Sequence, residues 1–391
     1  MHTTRTTDTD GPVPAIGAPL AIGGRLAGVI AGLAAVPAAA AHTGTTHAGT
    51  PHWAILALLL VGIGIVGLAR LATQRGRIEA RAGAGTILAG VVIGGLGAIG
   101  LVEIQVVSRT GPSLGALYPY ASLLIGASVM IGGLIVTRLR WPDRPRYAVL
   151  PGLLGVWIVY PNVLPDDGVT HPLGYALVLG LPIAVGYVVR RDAGGAIRAA
   201  LRDRFARTIG LATGAFTTVL VAFSAGTLSV NPDDGIGLPT EPVLTTIPVA
   251  NPLVTWPAIE FYLPAVPIAG MVSVGTAILF GLLGGLVGTN AAVLTAQWQA
   301  GRSVSLRGSL LGSVATTGAT ACCCCAPAVY GVLSALFGSA VTPIYWAFMD
   351  SSSPLGAAFL AASVLLLTAS LVHAGGGPGG AMTDPTAEVS L

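Results

Sequence analysis

The sequence predicts an all-α, polytopic integral membrane protein of about ten transmembrane helices, and three observations predict it. Of 391 residues, 53% are hydrophobic and only 9% are charged, against roughly 25% charged in an ordinary soluble domain. Apolar runs recur along the chain near the length of about 20 residues that a helix needs to cross a bilayer core of roughly 30 Å. The nineteen basic residues are all arginine and fall between those runs. With a mean hydropathy of +0.80, the chain cannot clothe a soluble globule, and lipid is its expected solvent. A net charge of only +3, spread over short clusters rather than one basic stripe, argues against nucleic-acid binding.

The predicted helices run approximately 26–41, 53–69, 83–107, 117–137, 147–160, 172–189, 208–230, 263–289, 308–340 and 354–373. They form a single bundle over 26–373, preceded by a polar cytoplasmic N-terminus (1–25) and followed by a disordered C-terminal tail (374–391). The first run has a second reading. Arg25, the apolar stretch from Leu26 to Val36 and the small residues Ala38–Ala41 also fit a signal peptide with an A-x-A cleavage site. Cleavage there would leave nine helices and an external N-terminus.

Arginine placement orients the bundle by the positive-inside rule. Arg70, Arg75, Arg77 and Arg81 follow the second run, and Arg138, Arg140, Arg144 and Arg146 the fourth. Arg190, Arg191, Arg198, Arg202, Arg204 and Arg207 follow the sixth, and Arg302 and Arg307 the eighth. With Arg5 and Arg25, all but Arg109 fall on one side. The expected topology is a multi-pass protein of the cell membrane with both termini cytoplasmic. The other side carries His42, His47 and His52, then Asp166, Asp167 and His171, and then the stretch 231–262. That stretch holds six prolines and no arginine, and their spacing predicts an extended external loop rather than a helix.

Small residues four apart allow close helix approach, and the pairs are Gly28/Gly32, Gly90/Gly94, Gly281/Gly285, Gly284/Gly288 and Gly308/Gly312. They predict tight packing within the bundle and assign no oligomeric state. Between the arginines of 190–207, Ala196, Ile197, Ala200, Leu201 and Phe205 form an amphipathic face expected to lie against the headgroups.

The sharpest feature is the run Cys322, Cys323, Cys324 and Cys325, followed by Pro327 inside the ninth segment. Adjacent cysteines cannot make a disulfide framework. On an unbroken helix successive residues turn by about 100°, so only Cys322 and Cys325 share a face. Pro327 removes one backbone bond and clashes with the carbonyl of Cys323. A break there lets the thiols converge, with Thr316, Thr317 and Thr320 at hand for the opened backbone. Irregular backbone at membrane depth belongs where it lines a cavity or is buried in protein. Thiolates favour soft ions such as Cu(I), Zn(II) and Hg(II). Four neighbours cannot build the spaced-pair tetrahedral zinc site, whereas two-coordinate binding is geometrically easier.

Residues 308–373 resemble the mercuric-ion transport membrane proteins. The likeness lies in Cys323 and Cys324 with Pro327 in an apolar helix, Leu336 and Gly338 after it, and Pro354 opening another helix. The resemblance implies that Cys323 and Cys324 are the thiol pair that takes the ion from outside and passes it on. This chain differs in carrying two further cysteines in the same run and no second pair elsewhere.

His42, His47 and His52 recur every five residues in a Gly/Thr-rich external loop and are candidate ligands for Cu or Zn. Glu103 and Gln105 lie at the outer end of the third run, with Glu103 placed to reach toward Arg109. No P-loop, G-x-S-x-G or H-E-x-x-H motif occurs, and nothing in the sequence points to an enzyme. Three readings follow. The first is a permease or sensor for a thiophilic metal, with the cysteine turn as internal site and the histidine loop as capture site. The second is a non-catalytic membrane scaffold or subunit. The third is a thiol–disulfide relay built on Cys322-x-x-Cys325.

Overall fold

The computed structural model describes residues 52–103, 115–164, 170–230, 241–266, 268–300, 333, 346–348, 350 and 353–375. Nine α-helices, two short 3₁₀ turns and a small sheet account for most of these residues. The α-helices are α1 (His52–Gln74), α2 (Ala80–Glu103), α3 (Tyr118–Arg140), α4 (Val149–Val163), α5 (Pro172–Asp192), α6 (Gly194–Arg202), α7 (Arg204–Ser224), α8 (Val274–Gln299) and α9 (Pro354–Gly375). The strands β1 (Leu228–Val230), β2 (Val243–Val249), β3 (Trp256–Leu263) and β4 (Ile268–Ser273) lie between α7 and α8. Seven helical stretches, those built on α1, α2, α3, α5, α7, α8 and α9, are long and apolar enough to cross a membrane. The predicted segments 26–41 and 308–340, and the tail beyond Gly375, lie outside the described helices.

Helix α4, the fifth predicted segment, has 15 residues, short of the roughly 20 that a bilayer core asks of a helix. It lies in the core, with Leu150, Leu154, Trp157, Ile158 and Tyr160 all buried. Around it α5, α8 and α9 supply Val178, Leu181, Leu286, Val364 and Leu367. The outward faces carry the opposite pattern. Leu124 on α3, Ile183 on α5 and Leu211 on α7 are 71%, 71% and 68% exposed.

Backbone contact joins the helices in pairs. On α7 and α8, a Cβ placed at Gly214 would stand 2.8 Å from the Gly284 carbonyl oxygen, and one at Gly288 would stand 2.6 Å from that of Gly210. Between α1 and α2, Gly62 lies directly on Gly90 and Gly94, and between α3 and α4 Gly126 lies on Gly155. Of the two overlapping motifs on α8, Gly284/Gly288 is the packing face, while Gly281 and Gly285 have open space where a side chain would go. Gly90/Gly94 packs as expected. Gly28/Gly32 and Gly308/Gly312 lie outside the described residues.

Two ends of the bundle differ. At one end Arg146 pairs with Asp192, Arg81 reaches Gln299, and the C-terminus of α9 at Gly375 abuts the Asp192 backbone. The connections carrying Arg70–Arg81, Arg138–Arg146 and Arg190–Arg207 therefore gather there. At the other end, α2 finishes at the sheet through Glu103, α5 begins beside it with Tyr175, and α8 grows out of β4. Helices α8 and α9 run parallel: Gln299 at the end of α8 reaches Arg81 and Asp203, Gly375 at the end of α9 abuts Asp192, and between the ends Asn290 meets the Leu367 carbonyl.

The stretch predicted as an external loop, 231–262, is instead largely strand where it is described, so the fold is helical with one sheet rather than all-α. The order is β1-β4-β3-β2, antiparallel throughout. Its β-branched and aromatic residues suit a pleated, half-buried surface, and the prolines mislead because Pro248 and Pro257 stand opposite each other. Their missing donors coincide on one rung of a strand pair whose outer member is an edge. The register sets Trp256, Ala258 and Ser273 on one face, where all three are buried, and Leu244 and Ile259 on the other, where both are exposed.

The sheet also moves two predicted boundaries. The seventh segment ends at Ser224, not 230, because Gly226 takes φ +67° and turns the chain into β1. The eighth begins at Val274, not 263. There Ser273 Oγ accepts from the Thr276 amide at 3.1 Å while Thr276 Oγ1 accepts from the Ser273 amide at 2.9 Å, a reciprocal cap that starts a helix.

The glycine seam yields a paired test. Replacing Gly284 with alanine sets a methyl against the Gly214 carbonyl oxygen and Thr218, and overpacking of this kind costs about 1–3 kcal/mol. Replacing Gly281 meets nothing and gains about 0.5–1 kcal/mol from helix propensity. Thermal unfolding of the two variants in detergent is expected to move in opposite directions.

Candidate functional site

The described residues offer three polar places: the joint between sheet and bundle, the arginine-bearing end, and the seam between α8 and α9.

At the joint, the β2–β3 connection plugs into the bundle. Trp256 Nε1 donates to the Pro252 carbonyl at 3.1 Å, and Tyr175 Oη donates to the Thr255 carbonyl at 2.7 Å. The Tyr175 ring meets Trp256 edge-on at 4.9 Å. Val254 is fully buried against Gly174 and Tyr160. Leu253 holds φ at +58°, a left-handed conformation that costs a non-glycine residue on the order of 1–2 kcal/mol and is retained by these contacts. Ser273 Oγ donates to the Asn251 carbonyl at 2.8 Å, joining the plug to the start of α8. Glu103 accepts from Ser229 Oγ at 2.8 Å and from the Val230 amide at 3.0 Å. It ties α2 to the free edge of β1. Arg109 and Gln105 lie outside the described residues. Beside this contact a hollow of about 420 Å³ is lined by Thr227, Ser229, Glu260, Tyr262 and Met271. His171, on the same side, caps α5 by accepting the Leu173 amide at Nδ1.

At the arginine end, Arg146 donates through both Nε and a terminal guanidinium nitrogen to Asp192, whose side chain is 6% exposed. Arg144 stands 3.6 Å from the same carboxylate. The hydrogen bond to Asp192 holds the Arg146 guanidinium above its ordinary value. Asp192 ends α5, where a carboxylate opposes the helix dipole, and the two arginines compensate. A second chain of bonds runs from Arg81 Nε to Gln299 Oε1 (3.2 Å), and from Gln299 Nε2 to Asp203 Oδ1 (3.3 Å). Asp203 Oδ1 in turn accepts from the Ala206 amide at 2.6 Å and caps α7. That amide bond, above all, holds the Asp203 carboxyl below the ordinary carboxylate range.

Part of the apolar face of α6 meets protein rather than the headgroups: Ala200 is buried and Ile197 is packed against the core, while Leu201 is exposed together with Arg198 and Arg202.

At the α8–α9 seam, Asn290 Nδ2 donates to the Leu286 carbonyl at 2.8 Å and to the Leu367 carbonyl at 3.2 Å, with the side chain buried. The hydroxyl of Thr368, next along α9, is buried with no hydrogen-bond partner among the described residues. Sequence reasoning missed Asn290, which falls one residue beyond the predicted end of the eighth segment. The signal was present: it is an amide in a mostly apolar run, seven residues ahead of the next one, Gln297.

The predicted site residues lie elsewhere. Cys322, Cys323, Cys324, Cys325, Pro327, His42 and His47 are outside the described residues, and His52 is the first residue of α1. The described residues contain no group of three or more His, Cys, Asp or Glu placed to hold a metal ion. No family model, curated protein or solved structure matches this chain.

The Asp203 cap is testable by acid. A carboxyl with a lowered folded pKa contributes stability above the unfolded value, about pH 4, and loses it as pH falls through the lower folded value. Amide exchange at Ala206, corrected for intrinsic rates, is expected to quicken below about pH 4 in the parent. In D203N it is expected to stay flat over that window, because asparagine caps a helix without titrating.

Proposed function

We propose that this chain is an integral multi-pass membrane protein, its arginine end cytoplasmic, that moves or senses a thiophilic metal ion through the thiols of Cys322–Cys325. The metal is cargo here, not a resident cofactor. The observation that carries the reading is four adjacent thiols followed by Pro327 in the connection between α8 and α9. Those two helices run parallel (see above), so their connection has the length of the bundle to return along, and the cysteines stand near the middle of it. Seven apolar helical stretches with large exposed side chains such as Leu124 and Leu211 support insertion in a bilayer. The gathering of arginines at one end supports the orientation.

The chemistry follows from ligand softness and helix geometry. A proline break frees neighbouring thiols to meet one ion, and two-coordinate thiolate binding suits Cu(I) or Hg(II). Binding releases thiol protons, so uptake strengthens as pH rises. The likeness of residues 308–373 to mercuric-ion transport membrane proteins assigns Cys323 and Cys324 as the principal pair. His42, His47 and His52, before α1 and at its start, would meet the ion on the side opposite the arginines.

Metal analysis tests the reading. Protein purified in detergent and loaded with Cu(I) or Hg(II) is expected to retain the ion in near-stoichiometric amount. The variant with all four cysteines changed to serine is expected to lose nearly all of it, with its helix content intact. Equal retention by both proteins would dismiss the cysteine site and leave the scaffold reading.

A further inference from the structure

Six arginines, Arg190, Arg191, Arg198, Arg202, Arg204 and Arg207, lie within 190–207, and every one is exposed. Only two acids share that stretch, and both are engaged: Asp192 by Arg146 and Arg144, Asp203 by the Ala206 amide and Gln299. Among the described residues no carboxylate pairs with any of the six. Surplus cation is therefore left facing outward, and it is held in place. Arg198 Nε donates to the Gly194 carbonyl at 3.2 Å, and α6 is pinned to the bundle by Ala193, Ile197 and Ala200.

The height of this cluster relative to the apolar exterior is equally defined. Tyr187 on α5, 54% exposed, precedes Arg190 by one turn, and Leu211 on α7, 68% exposed, follows Arg207 by one turn. In a spanning bundle the guanidinium groups then stand where acyl chains give way to phosphates. Guanidinium forks bind phosphate oxygens in pairs.

We propose that the α5–α6–α7 corner is a binding site for anionic phospholipid headgroups, seated on Arg198, Arg202 and Arg204 and flanked by Arg190, Arg191 and Arg207. Helix α6 acts as a rigid bracket that turns these arginines toward the lipid phosphates. The inference rests on the membrane-spanning reading proposed above and is independent of the cysteine site.

The test uses the full chain, delipidated in detergent and offered phosphatidylglycerol or phosphatidylcholine, with bound lipid counted by native mass spectrometry. The parent is expected to retain phosphatidylglycerol in preference to phosphatidylcholine. A juxtamembrane arginine contributes about 1 kcal/mol to anionic-lipid attraction, or roughly fivefold. The R198Q/R202Q/R204Q variant should therefore bind phosphatidylglycerol about a hundredfold more weakly, while R75Q/R77Q, at another connection, changes little. Should the triple variant fail to fold, R198Q and R202Q singly are expected to lose about fivefold each. Equal retention of the two lipids by the parent, undiminished binding in the arginine variants, or displacement by millimolar inorganic phosphate would overturn the proposal. Release of the parent from cell membranes by alkaline carbonate would overturn the spanning reading itself, a distinct outcome.

Discussion

The architecture depends on backbone meeting backbone between apolar helices. Where both the neighbouring helix and the surroundings are apolar, burial of side chains alone discriminates poorly between partners, and close packing decides. Gly210 and Gly214 against Gly284 and Gly288 bring α7 and α8 to a separation that any larger side chain would prevent. Their other ends are fixed by that contact. Helix α7 leads through Gly226 into β1, and α8 begins at the Ser273 cap that closes β4, so the sheet is the clasp of a glycine-packed pair. The same device joins α1 to α2 and α3 to α4.

Polar chemistry is pushed to the two ends and handled differently at each. At the sheet end it is spent on internal hydrogen bonds: Tyr175 to Thr255, Trp256 to Pro252, Glu103 to β1. The β2–β3 plug is over-determined by these contacts, which is how it keeps Leu253 in a left-handed conformation. At the arginine end Asp203 is taken up by a helix cap and Asp192 by a buried bidentate pair, while Glu79, Asp143 and the arginines of 190–207 are exposed. This asymmetry is the physical basis of the proposed orientation and of the proposed lipid site.

Between the ends the buried polar side chains among the described residues are mostly hydroxyls, and Asn290 on α8 is the buried amide. Asn290 reaches across to the Leu367 carbonyl, and the Thr368 hydroxyl beside it lies unpaired among the described residues. An amide that donates to a second helix fixes its rotation about its own axis. Helices α8 and α9 precede and follow the cysteine-bearing connection in the chain.

What the residues alone determined was the alternation of apolar run and arginine cluster, because both follow from solvation and need no knowledge of neighbours. That pattern located eight of the described helices and the side on which the arginines gather. Local pattern failed where the answer lay in a partner. The six prolines of 231–262 read as loop because strand pairing is non-local, and only the register shows Pro248 and Pro257 sharing one rung. Gly281/Gly285 and Gly284/Gly288 were equivalent as motifs until α7 was seen against one of them. The bonds of Glu103 to Ser229 and Val230, 126 and 127 residues away, could not be read from its sequence neighbours. The amphipathic face of α6 was legible, but whether it met lipid or protein was for packing to decide: periodicity says that a face is apolar and cannot say what covers it.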